Sequence, residues 1–126
     1  MEISGKHLDI KRICAQEVIL HPSQLRPMKK CRVFQVQGRD CRFLFKPFEM
    51  VKQQGFAAPP RAAYRVVYDG MLQTDALEEI FYLLNCRRPK DFTGWHLTTS
   101  DIVELYDKYS SRFYYCDLNG LIEISF

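Results

Sequence analysis

Residues 94–126 read GWHLTTSDIVELYDKYSSRFYYCDLNGLIEISF, and this stretch decides the fold. It parses into a polar turn followed by three strands in a meander. Ile102 to Tyr106 is a β-rich run, and Asp107 to Ser111 is polar enough to be a loop. Arg112 to Cys116 is a second run, dense in aromatic residues. Asp117-Leu118-Asn119-Gly120 is a turn, because Asn-Gly tolerates the positive φ that tight hairpins need. Leu121 to Phe126 alternates, with Ile122, Ile124 and Phe126 on one face and Leu121, Glu123 and Ser125 on the other. That pattern predicts an antiparallel sheet.

Working outward, a chain of 126 residues that is 47% apolar suits one domain with a real core. No run approaches the length needed to span a bilayer, and Lys6, His7, Asp9, Lys11 and Arg12 interrupt any apolar signal region. A cytoplasmic protein is expected. The cysteines, Cys14, Cys31, Cys41, Cys86 and Cys116, are odd in number and dispersed. No close Cys or His pair suggests a zinc site, and free thiols are expected. Net charge is +3 but uneven: residues 1–46 carry +6 and residues 47–126 carry −3.

Upstream of the meander, Ile10 to Leu20 fits either a strand or a short helix, and His21-Pro22-Ser23 ends it. Cys31 to Gln37 alternates as a strand, Gly38-Arg39-Asp40 reads as a turn and Cys41 to Lys46 as a second strand, together a hairpin. Pro47 to Gly55 has proline at the start and glycine past the end of a short helix, with Phe48 and Val51 facing the core. Tyr64 to Tyr68 is a strand closed by Asp69-Gly70. Thr74 to Cys86 is the strongest helix. Asp75 and Glu78 form a capping-box-like start, and Leu77, Ile80, Phe81 and Leu84 make one apolar stripe. Strands with two interspersed helices and no βαβ alternation predict an α+β domain, with both helices on one face of a mainly antiparallel sheet.

Three constellations are candidates for function. The histidines, His7, His21 and His96, are far apart, and no phosphate-loop, dinucleotide or metalloprotease motif is present. No catalytic residue, metal or cofactor is therefore assigned. Thr98-Thr99-Ser100-Asp101 offers four side-chain oxygens but reads as a local turn at a strand entry. Tyr106, Tyr109 and Tyr114 are candidates for a tyrosine-rich recognition surface, since tyrosine buries much area at low entropic cost. Lys29, Lys30, Arg32, Arg39 and Arg42 are the candidates for phosphate contacts on a nucleic acid.

The linked runs also resemble the YodL-like domain family. The residues that carry the resemblance are Phe45-Lys46-Pro47; the Tyr64 to Gly70 strand; Ile80-Phe81 with Asn85; Gly94, Leu97, Ser100, Asp101, Ile102 and Val103; and Tyr114, Tyr115, Asp117 and Gly120. Departures fall at His96, Thr98, Cys116 and Leu121. The likeness covers residues 34–126, leaving 1–33 as this protein's own addition within a single domain 1–126. It implies a small non-catalytic accessory protein of a bacterium, phage or conjugative element. No family catalytic residue carries over.

Two functional expectations follow. The first is a protein-binding module that inhibits or redirects a host protein, such as an immune nuclease in an anti-CRISPR-like manner. The second is a nucleic-acid-associated regulator acting through the basic N-terminal region. A Cys–His hydrolase would require one of those groups to meet the other in a cleft.

Overall fold

In the computed structural model, residues 29–126 are described, and the expectations for residues 10–20 lie outside them. Five strands form one sheet: Lys29–Val36 (β1), Tyr64–Leu72 (β2), Ile102–Tyr106 (β3), Ser111–Asp117 (β4) and Gly120–Ile124 (β5). Their spatial order is β2-β1-β3-β4-β5, and every neighbouring pair is antiparallel. Strands β3 to β5 form the meander expected from the sequence, and the α+β class stands.

Among the described residues the α-helices are Phe48–Gln53 (α1) and Leu77–Cys86 (α2). They divide between the two faces of the sheet rather than sharing one. Ile80, Phe81 and Leu84 of α2 pack on Cys31, Val33, Val67, Val103, Leu105, Cys116 and Leu121. Val51 of α1, with Phe43 and Tyr64, packs on Phe34, Val36, Ile102 and Tyr115, the alternate residues of the same strands. Val33-Phe34 and Ile102-Val103 show why. Central strands apolar on both sides need both faces covered.

Residues 41–46 form no strand. Gly38–Phe43 is a 3-10 segment, and Phe43 is fully buried against Phe56 and the second cluster. Both edges of β1 are already paired, with β2 and with β3, so no edge is free for a hairpin partner. The Asp69-Gly70 dipeptide does not end β2, which runs on to Leu72 because Asp69 and Gly70 pair with Arg32 and Cys31. A bulge sits in β2. Val33 pairs with Tyr68 and Phe34 with Val66, leaving Val67 as the extra residue. The bulge lets Val67 and Tyr68 both enter the α2-side core and turns Val66 outward. Helix α2 starts later than predicted, with no side-chain cap at Ala76, although Thr74 Oγ1 accepts the Ala76 N–H at 3.0 Å. Cys31, Cys41 and Cys116 are free thiols, whereas Cys86 is disulfide-bonded, contrary to the expectation of thiols throughout.

Candidate functional site

The Thr98–Asp101 run is a buried knot at the entry to β3. Asp101 is fully buried, and its Oδ2 accepts the Thr98 N–H at 2.9 Å and the Gln35 side-chain amide at 3.1 Å. Gln35 in turn donates to the Trp95 carbonyl at 2.9 Å and accepts the Trp95 N–H at 3.1 Å, stitching β1 to the 94–101 loop. Burial pushes the Asp101 carboxyl up to about 8, against the opposing pull of Thr98, Gln35 and Trp95. A Cβ at Gly94 would collide with the Gln35 side chain and Val67, so the loop passes there only as glycine. Ser100, at φ 86°, accepts the Phe45 N–H on Oγ at 3.0 Å, and Phe45 itself has φ 59°. The run serves the fold: Asp101 and Ser100 are buried and Thr98 and Thr99 half-buried, although Asp101 Oδ1 is buried without a hydrogen-bond partner.

Among the described residues, one end of the α1 side of the sheet has no helix over it. Register places Lys30 and Arg32 of β1, Asp69 and Met71 of β2, and Glu104 and Tyr106 of β3 on that face. Arg32 donates to Asp69 at 3.2 Å and to Glu104 at 2.8 Å. Its guanidinium lies over the Tyr106 ring at 4.4 Å, and the Tyr106 hydroxyl donates to Asp69 through a short hydrogen bond. Glu104, 3% exposed, also accepts from Ser111 Oγ at 2.7 Å. The Tyr106 and Arg32 contacts hold the Asp69 carboxyl below its ordinary range, and the bond to Asp69 raises the Tyr106 hydroxyl. Around this ordered network, Val66 is 49% exposed and Met71 is 50% exposed. A hollow of about 490 Å³, lined by Lys29, Lys30, Met71, Tyr106 and Lys108 among others, adjoins it.

The predicted tyrosines do not form one surface. Tyr106 belongs to the open face. Tyr114 is half-buried against the α2-side core, on the opposite face. Tyr109 stands 85% exposed in the β3–β4 turn, with Lys108 at 5.2 Å from its ring. The predicted basic residues also separate. Lys29, Lys30 and Arg32 lie at or near the start of β1, while Arg39 and Arg42 lie in the 3-10 segment beyond its other end. Lys29 pairs with Asp107 at 3.8 Å, Arg39 with Asp40 at 3.6 Å, and Arg42 lies 4.8 Å from the Phe43 ring. Among the described residues no group of three metal-ligating side chains forms. Sequence reasoning missed Asp69, Glu104, Val66 and Met71. Asp69-Gly70 has the composition of a turn, and the bulge that exposes Val66 has no signature in the local pattern.

A YodL-like domain model matches residues 30–126. The chain belongs to the YodL-like family. No curated protein and no solved structure matches it. The residues that carry this YodL-like domain's resemblance serve the scaffold. The Tyr64 hydroxyl donates to the Ser100 carbonyl at 2.7 Å and the Tyr115 hydroxyl to the Lys46 carbonyl at 2.5 Å. Asp117 accepts the Phe48 N–H at 3.0 Å, and Asn85 the Leu97 N–H at 2.8 Å. The departures at Cys116 and Leu121 are both buried core positions. The open face, by contrast, is built mostly of residues outside those motifs.

Proposed function

We propose that this YodL-like domain is a non-catalytic protein-binding module of a phage or mobile element, acting in the cytoplasm of a bacterial host. In its sharpest form it inhibits or redirects a host protein such as a nuclease effector of a defence system. The observation that carries the reading is the open sheet face. An arginine stacked on a tyrosine, both bonded to one carboxylate, stands beside the exposed apolar side chains of Val66 and Met71. Arginine and tyrosine dominate binding energy at protein interfaces, and a pair already held in place has less entropy to lose on docking. The accessory role and the mobile-element setting are what the family resemblance implies, and they are part of the proposal.

The test is affinity capture with the tagged full chain from nuclease-treated host lysate, in parallel with Met71→Glu. A stoichiometric protein partner that survives nuclease and is lost with the variant supports the reading. Capture of nucleic-acid-binding proteins that disappears on nuclease treatment would move the assignment to Lys29, Lys30, Arg32, Arg39 and Arg42 as phosphate contacts. Phosphate contacts of that kind weaken steeply with salt.

A further inference from the structure

Arg61 lies in the 3-10 segment Arg61–Ala63 that leads into β2. Its guanidinium carbon sits 5.2 Å from the Phe34 ring, 5.3 Å from Phe113 and 5.2 Å from Phe126. Those rings touch one another, with Phe34 and Phe126 at 5.3 Å, Phe113 and Phe126 at 5.5 Å, and Phe34 and Phe113 at 6.4 Å. Phe34 is two residues beyond Arg32 on the same face of β1, and Phe113 of β4 lies opposite Glu104 on that face. Arg61 therefore borders the open face described above.

The two arginines of this face are used differently. Arg32 is neutralised by Asp69 and Glu104. Arg61 is exposed, and among the described residues no carboxylate or hydrogen-bond acceptor is paired with it. Three aromatic faces hold its position without consuming any of its five N–H donors. A guanidinium so placed is pre-organised for a carboxylate, which it binds through two parallel hydrogen bonds. The neighbouring exposed group is Val66, whose β1 partner is Phe34 itself.

We infer that Arg61 is the anion-recognising residue of the binding face, and that the protein partner presents a glutamate or aspartate flanked by apolar side chains. The inference rests on the proposed protein-binding reading and names the partner's chemistry. The carboxylate takes the free N–H groups of Arg61, while apolar neighbours cover Val66 and Met71. A protein segment fits better than a nucleic-acid backbone, because the second arginine of the face already has two carboxylates and the face also exposes the apolar side chains of Val66 and Met71.

The experiment uses the full chain and three labelled probes, read by fluorescence anisotropy. They are a ten-residue peptide alternating leucine and glutamate, its leucine–glutamine counterpart, and a single-stranded oligonucleotide of the same charge as the first. The glutamate peptide is expected to bind at least tenfold tighter than the glutamine peptide, and Arg61→Ala to remove that preference. Arg61→Met keeps an apolar stem over the three rings and loses the charge, so it answers if the alanine variant does not fold. Equal binding of the two peptides, no binding of either, or a preference that survives in both variants overturns the inference. Tighter binding of the oligonucleotide that depends on Arg61 overturns it in favour of a nucleic-acid surface. If the partner captured from lysate is lost with Met71→Glu but kept with Arg61→Met, the protein-binding reading stands and this inference alone falls.

Discussion

The two faces of the sheet are covered in different ways. On one, a ten-residue amphipathic helix, α2, lies over the strands and leaves no apolar residue of β1 or β3 exposed. On the other, the six-residue α1, two 3-10 segments and the Phe126 ring cover one end, and a charged network occupies the rest. This domain therefore ends its second core with polar side chains fixed by one another rather than with another helix. Among the described residues, nothing packs over the side chains of Val66 and Met71 beside that network, each about half exposed.

If both faces carry the fold, truncation in either must be costly. Phe43→Ala on the half-covered side is expected to destabilise by about 3–5 kcal/mol and Ile80→Ala on the α2 side by about 2–5 kcal/mol, both side chains being fully buried. Urea unfolding followed by circular dichroism measures both. A Phe43 variant that cost under 1 kcal/mol would mean that the second cluster is a surface cover and not a core.

The knot at Asp101 makes the stability of the fold depend on pH. Its carboxyl is raised in the fold to about 8 from an ordinary 3.8. The folded state therefore holds this proton where the unfolded state has released it. The group's contribution is full below about pH 4 and is lost as pH rises to 8, at up to about 1.4 kcal/mol per pH unit for one proton. Asp101→Asn is expected to flatten the dependence between pH 4 and 8 in chemical denaturation. An unchanged slope would place its origin elsewhere.

Smaller effects belong to the open face. Arg32→Met leaves Glu104 buried with only Ser111, and an expected loss of about 1–3 kcal/mol follows in the same unfolding assay. Met71→Glu, on an exposed side chain, is expected to change stability by under about 0.5 kcal/mol while abolishing partner capture. A large loss of stability in that variant would show that Met71 is part of the fold and would remove the basis for a separate binding face.

Much of the architecture was readable from local pattern. The meander, the stripe Leu77, Ile80, Phe81 and Leu84, and the Pro47–Gly55 helix depend on spacing and turn chemistry within a few residues of one another. The structural role of Thr98–Asp101 was readable for the same reason. What could not be read is where strands meet. Whether residues 41–46 form a strand depends on a free edge beside β1, and β2 and β3 occupy both. The bulge at Val67, the pairing of Arg32 with Asp69 and Glu104, and the three phenylalanines beneath Arg61 join residues 27 or more apart in the chain. The sequence alone therefore determined the family, the fold class and most element identities, because these rest on periodicity and short motifs. Which tyrosine and which arginine face the same solvent was decided only by strand order and register, since a one-residue shift moves a side chain to the other face.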